Sequence, residues 1–285
     1  MLTISFIQRE PRATSWSFNP HQADVPLHPT WTSLRYDSYM SSNAWAVERP
    51  GCGIPVTVNG SDGARTFDLS EAATWRFEDY LGVRKPLSHK GQRNWVGSWW
   101  FSKSGEYVPF ESWVERDWIM LFDRDTDVRA VRAQPFTLDL ASGRHTPDFF
   151  VRRRDGGVGI VDVRPDGRIG DVDALKFAQT ADACALVGWS YRRVGDVEPV
   201  ARANCRWLSA YRHPWCGVSR ATSLEAITKA LAGGRARLDE VGALVGAPLL
   251  GVLPLVFHHV WYGGLAMDET VPLSLRSTVW EVTAA

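Results

Sequence analysis

The sequence carries no excess of charge of either sign. Lys and Arg number 32, Asp and Glu number 32, and the 285-residue chain is formally neutral at pH 7. A strongly basic chain would supply its own attraction for nucleic acid. Here such attraction must be local, or come from partners and metal ions. Arg does cluster, at Arg152, Arg153 and Arg154 and at Arg192 and Arg193. Cysteine is scarce: Cys52, Cys184, Cys205 and Cys216 include no C-x-x-C pair. A zinc site or disulfide frame is therefore unsupported, and a reducing, cytoplasmic setting is expected. The start, Met1 to Glu10, has no basic stretch followed by an apolar one, so no signal peptide is expected. One segment, Val241 to Met267, lacks Asp, Glu, Lys and Arg. It is long enough to span a bilayer. Gly242, Gly246, Pro248, Gly251 and Pro254 interrupt it, which favours two buried helices joined at Ala247-Pro248 over a membrane span.

What is present suits a globular chain. The hydrophobic share is 45% and the charged share 22%, enough for a real core. The length suits about two domains. Fourteen Trp point to packed interfaces or a stacking surface.

Residues 1–55 show little periodicity and read as an irregular extension. From Val56 the pattern sharpens. Val56-Thr57-Val58 and Arg65 to Leu69 flank a Gly-rich turn and predict a hairpin. Ser70 to Tyr80 reads as a short helix capped by Ser70. Phe110, Trp113, Val114, Trp118, Leu121 and Phe122 recur at helical spacing and predict a helix over Pro109 to Phe122. Val128 to Leu140 reads as extended. Thr146 to Arg154 and Val158 to Arg164 predict a hairpin around Asp155-Gly156-Gly157. Asp171 to Thr180 reads as a helix and Ala183 to Trp189 as a strand, with Tyr191 to Val194 a further candidate strand. The mixture predicts an α/β core. From Ser223 three helices (Ser223 to Leu231, Leu238 to Val245, Pro248 to Tyr262) precede two short strands around Glu269-Thr270, a winged-helix pattern. The expected domains are 1–55, 56–217 and 218–285.

The chemistry concentrates in Pro147-Asp148 and Asp162-Val163-Arg164. Side chains alternate along a strand, so Asp162 and Arg164 point to one face. If Asp155, Gly156 and Gly157 form a three-residue loop, Arg154 pairs with Val158 and Asp148 lies opposite Arg164. Asp148, Asp162 and Arg164 then share a face; a two-residue loop breaks that arrangement. Two carboxylates on adjacent strands suit a hard cation such as Mg²⁺, which takes oxygen ligands and keeps several waters. Glu115, on the preceding helix, is placed to reach the same ion or a second one.

This set of residues resembles the PD-(D/E)XK nuclease superfamily. It looks most like the TnsA endonuclease subunits of heteromeric transposases. The matching stretches are Phe110 to Asp117, Gln134-Pro135-Phe136, His145-Thr146-Pro147-Asp148-Phe149 and Val161 to Pro165. Gln92-Arg93-Asn94 and Gly188-Trp189 to Val194-Gly195 look like an actinobacterial branch. The resemblance covers about Val56 to Trp215. It implies a restriction-endonuclease-like core with a mixed central sheet, a winged-helix domain after it, and a bacterial, nucleoid-associated protein. It implies metal binding by Asp148, Asp162, Glu115 and the Val163 carbonyl, with one or two Mg²⁺ or Mn²⁺ ions. It implies cleavage of DNA at transposon ends beside a TnsB-like transposase and a TnsC-like ATPase. Arg164 stands where the family usually has Lys. Arg keeps its proton, so it cannot act as a base; stabilising phosphorane charge remains open to it. Lys176 is an alternative donor.

Each of these residues also has a plainer reading. An Asp-x-Arg pair on a strand is commonly an ion pair. Glu111 rivals Glu115, four residues away on one helix face. Gln134 is either a contact to DNA or water or a strand-end side chain bonded to backbone. His145 is either a phosphate contact or a surface or capping His. Arg152, Arg153 and Arg154 are either phosphate contacts or a solvated charge run. His258, His259, Trp261 and Tyr262 lack the Arg, Lys, Asn or Gln of a base-reading helix, which favours protein or backbone contact. Trp95, Trp99 and Trp100 read as core. The rival functions are a transposase- and DNA-bridging module without catalysis, and a defence nuclease of the same fold.

Overall fold

The computed structural model describes residues 51–60, 63–84, 95–231 and 233–282. The Gln92-Arg93-Asn94 match and most of the expected extension 1–55 lie outside the described residues. The expected domain boundary lies after Gly217; contacts divide the chain after Trp207.

The first unit contains three sheets. β1 (Pro55–Gly60) and β2 (Gly63–Asp68) form the expected hairpin. The helix expected over Ser70 to Tyr80 is cut short. α1 (Leu69–Ala72) is a single turn, followed by a 3-10 turn at Phe77–Asp79. Its cap is Asp68, whose carboxylate accepts the Ser70 N–H at 2.9 Å, not Ser70 itself. β3 (Gly97–Trp100) and β4 (Tyr107–Phe110) form a ribbon. α2 (Trp113–Arg124) therefore begins later than Pro109. A Ser112 cap sets that start: its hydroxyl accepts the Glu115 N–H at 3.2 Å, while the Glu115 carboxylate accepts the N–H of Glu111, the residue before the cap, at 2.7 Å.

β5 (Val128–Ala133), β6 (Thr137–Leu140) and β7 (Gly143–His145) follow. The extended run thus breaks at Gln134-Pro135, and its halves enter different sheets. β6 and β7 join the hairpin in the order β2-β1-β6-β7. β8 (Phe149–Arg153), β9 (Val158–Val163) and β10 (Ser190–Val194) join β5 in a mixed sheet, order β10-β9-β8-β5, with β9 and β10 parallel. α3 (Asp171–Leu186) connects those parallel strands. It absorbs Ala183 to Leu186, which were expected as strand. Ala and Leu are strong helix formers and carry it on, and Gly188, at φ 73°, ends it. α4 (Pro199–Ser209) follows and runs past the division after Trp207.

Alternation along β8 and β9 gives the mixed sheet two apolar faces. Phe150 and Ile160 join Val56, Val58, Phe77, Phe136, Leu138, Ala183, Cys184 and Trp189 in the main core. Phe149 faces the other way, its ring edge-on to Phe122 of α2 at 5.9 Å. Helices thus cover both faces, and the β8–β9 hairpin is held in one register.

The second unit holds α5 (Leu224–Leu231), β11 (Arg235–Arg237), α6 (Leu238–Leu244), α7 (Leu249–Trp261), β12 (Leu265–Met267) and β13 (Thr278–Glu281). The three expected helices are present. The two expected strands pair antiparallel, β12 with β13, across a connection longer than a tight turn at Glu269-Thr270, because β13 starts only at Thr278; β13 lies between β11 and β12. α6 and α7 bend by 115°. Gly242 permits the bend, because a Cβ there would lie 2.9 Å from the Ala247 carbonyl oxygen. No single described helix is long and apolar enough to cross a membrane. α7 instead buries Val252, Leu255, Val256, Phe257, Val260 and Trp261.

Candidate active site

The hairpin register brings the site together, by a loop other than the expected one. Arg152, not Arg154, pairs with Val158. The Arg153 N–H donates to the Gly157 carbonyl at 2.9 Å, closing a loop of Arg154, Asp155 and Gly156. Gly156, at φ 87°, supplies the left-handed residue that a three-residue hairpin loop needs. The pairing is therefore two residues away from the expected one. An even shift preserves faces, so Asp148 lies across from Asp162 instead of Arg164. The Asp148 N–H donates to Asp162 Oδ1 at 3.3 Å, and the Val163 N–H donates to Asp148 Oδ2 at 2.7 Å.

Asp162 is 2% exposed and held on several sides. The Tyr191 hydroxyl donates to its Oδ2 at 2.7 Å. His145 Nε2 lies 2.8 Å from the same oxygen. The two neighbours come from different sheets: β10, beside β9, carries Tyr191, and β7, beside β6, carries His145. The His145 ring packs edge-on against Phe177 of α3 at 5.9 Å. Burial first, then the Asp162 charge, pushes the Tyr191 phenol up, so it remains a proton donor.

Asp148 follows buried Pro147 and precedes β8, so strand alternation does not confine its side chain. Its carboxyl is raised well above the ordinary carboxylate range. Burial is the main cause; Asp162, Glu115 and Glu111 add repulsion, and the Val163 N–H opposes. Glu115 is raised mainly by burial as well. The Glu111 N–H and Ser112 hydroxyl pull it down, Glu111 raises it and Arg84 lowers it. Glu115 thus combines the capping role with a place in this acidic group.

Gln134 sits beside them in an unusual backbone state. It is the one described non-glycine residue with positive φ, at 47°, and it is 7% exposed. Its N–H donates to the Asp148 carbonyl at 2.8 Å, and its carbonyl accepts the Val83 N–H at 2.9 Å. The turn thus splits β5 from β6 and anchors Asp148. Strain of this kind persists only where surroundings enforce it.

Family models and curated proteins were compared with the chain, and none matches.

The remaining candidates lie elsewhere. Arg164 does not face the carboxylates: its guanidinium pairs with Asp173 at 3.0 Å and donates to the Arg168 carbonyl at 3.2 Å. Arg152, Arg153 and Arg154 sit at the opposite end of the hairpin, roughly 13–20 Å from Asp148 at about 3.3 Å per residue. Arg152 is fixed between Glu78, the Trp75 carbonyl and the Phe150 ring. Arg153 pairs with Asp127, and Arg154 donates to the Thr126 carbonyl. In the second unit, His258 meets the Tyr211 carbonyl at 2.8 Å and Tyr262 donates to that of Arg212 at 2.7 Å, while Trp261 is buried. Trp95, expected in the core, is 66% exposed; Trp99 bonds Asp123 at 2.9 Å.

Sequence reasoning missed Tyr191 and Arg84. Arg84 pairs with Glu111, and its Nε lies 3.5 Å from Gln134 Oε1. No short-range spacing links either residue to Asp148. Tyr191 depends on the parallel register that α3 imposes, and Arg84 on a loop returning to Gln134.

Proposed function

We propose that the chain is a divalent-metal-dependent DNA endonuclease, the cutting subunit of a heteromeric transposase. On this reading residues from Val56 onward form a restriction-endonuclease-like core and the second unit is a winged-helix domain. The observation that carries the reading is the buried pairing of Asp148 with Asp162, the Asp148 N–H 3.3 Å from Asp162 Oδ1 and the Val163 N–H 2.7 Å from Asp148 Oδ2, with Glu115 near enough to add to the repulsion that burial makes costly at Asp148.

Such a group suits a cation. No cluster of three or more His, Cys, Asp and Glu side chains that could hold a metal forms among the described residues. Mg²⁺ does not require one, since it binds through one or two carboxylates, several waters and substrate phosphate. Asp148 and Asp162 would hold Mg²⁺ or Mn²⁺, with Glu115 beside them. Bound there, the ion would acidify a water and polarise a phosphate oxygen. The chain's own residues supply the rigidity. Tyr191 and His145 fix Asp162, the Val163 N–H fixes one Asp148 oxygen, and Gln134 fixes the Asp148 backbone.

The resemblance supplies the partners: transposon-end DNA, a TnsB-like transposase and a TnsC-like ATPase. The neutral chain fits that dependence. The test is incubation with end DNA, the partner transposase and Mg²⁺. Wild type is expected to cut and Asp148→Ala to lose cutting; equal cutting by the two overturns the assignment.

A second reading, a bridging module without catalysis, draws on two observations. Arg164 is committed to Asp173, and Asp162 Oδ2 already serves two side chains. Calorimetric titration with Mn²⁺ separates the readings. A nuclease binds the ion and loses it in Asp148→Ala; a bridge binds DNA and partner with neither effect.

A further inference from the structure

We infer that Arg84 is the arm that receives the DNA phosphate next to the acidic group, filling the place left empty by Arg164. The inference rests on the nuclease reading and assigns a substrate contact within it. A phosphate approaching three carboxylates meets repulsion, so a nearby cation is needed to admit it. Arg164 is turned to Asp173. Arg84 stands at the other side, against residues of the site: Glu111 Oε2 at 2.5 Å and Gln134 Oε1 at 3.5 Å. It lies close enough to act on the Glu115 charge.

Its geometry suits a phosphate arm. The Arg84 side chain is 57% exposed, while that of Glu111 is 24% exposed. A pair this exposed is weakly held, and the guanidinium fork binds phosphate through two parallel bonds. The base of the arm is rigid. The Val83 N–H is tied to the Gln134 carbonyl, and the Gln134 N–H to the Asp148 carbonyl. The left-handed turn at Gln134 thus links the cation and the carboxylate through two backbone bonds. Glu111, on this account, holds the arm back until phosphate displaces it.

The experiment measures binding of the full chain to a short fluorescein-labelled DNA duplex of arbitrary sequence. Anisotropy is recorded across a salt series with Ca²⁺ present. Arg84→Gln is expected to weaken binding about tenfold at low salt and to reduce the slope of log K against log salt by about 0.9. Glu111→Gln is expected to tighten binding, because it frees the arm. A purely structural ion pair predicts the same direction for both variants, so opposite directions support the arm. Arg84→Lys should restore most of the slope but not the full affinity. Arg154→Gln, at the far end of the hairpin, should change neither. Unchanged affinity and slope in Arg84→Gln, with wild type still binding Mn²⁺ and cutting, overturns the arm and leaves the nuclease reading standing. A wild-type chain that binds neither Mn²⁺ nor DNA removes both.

Discussion

Replacing Asp148 by Asn tests the physical basis of the site without a DNA substrate. Asn keeps the shape and an oxygen to accept the Val163 N–H, which lies 2.7 Å from Asp148 Oδ2. It removes the charge that burial, Asp162 and Glu115 make costly. The sign follows from proton linkage. The folded protein holds the Asp148 proton more tightly than the unfolded chain does. The stability this provides is complete below the ordinary carboxylate range and is lost as pH rises through the raised value. Each unit of raised pKa corresponds to about 1.4 kcal/mol. At pH 7 without metal, Asp148→Asn should therefore melt higher than wild type, and its stability should fall less with rising pH. Mn²⁺ should reverse the order. At a hundredfold excess over Kd, a bound ion stabilises the wild type by about 2.7 kcal/mol. For a unit of this size that raises Tm by roughly 5–10 °C. Asp148→Asn should show little of that rise. Calorimetric melting over a pH series, with and without Mn²⁺, reads both effects. A metal-free variant that melts no higher than wild type, or one that gains as much from Mn²⁺, refutes the reasoning.

Three further substitutions probe the supports. Tyr191→Phe removes the hydroxyl donor to buried Asp162; urea unfolding should show a loss of about 1.5–3 kcal/mol, as for hydrogen bonds to charged groups, and Mn²⁺ affinity should drop. Gln134→Gly relieves a left-handed backbone at φ 47°; it should stabilise by about 1 kcal/mol in the same assay, and a net loss would show that the side chain outweighs the strain. Arg152→Ala removes the closer of the two cations on the Glu78 carboxylate, 8% exposed, and leaves Arg76 at 3.8 Å; unfolding should become easier by about 3 kcal/mol. DNA binding per folded molecule should not change, and a selective binding loss with normal stability would return Arg152 to the phosphate contacts.

Some of the site was legible because its signals are local. The Pro147-Asp148 and Asp162-Val163-Arg164 segments flank a Gly-rich turn, and a period-two strand fixes which residues share a face. An error of two in register still leaves Asp148 across from Asp162 although the loop is Arg154 to Gly156; the Asp148 side chain, one residue before β8, is then placed by the Val163 N–H rather than by parity. Glu115 was legible as a member of the motif, while its part in the Ser112 cap came only with the structure. Arg164 was misplaced for a related reason. Parity assigns a face only within a strand, and β9 ends at Val163. One residue later the side chain follows the turn toward Asp173.

By itself the chain's order of residues determined the local elements: the β8–β9 hairpin, the helix α2, the three helices after Ser223, and the acidic pair on the hairpin. Helix caps, turn glycines and alternation act over a few residues, so they are written in adjacent positions. Only the tertiary structure decided that Tyr191 and His145 grip Asp162, that Arg84 lies near Glu115 while Arg164 does not, and that Gln134 is held left-handed under Asp148. Those contacts join residues far apart in the chain. Their geometry is set by how sheets and helices pack, and packing is a property of the whole fold.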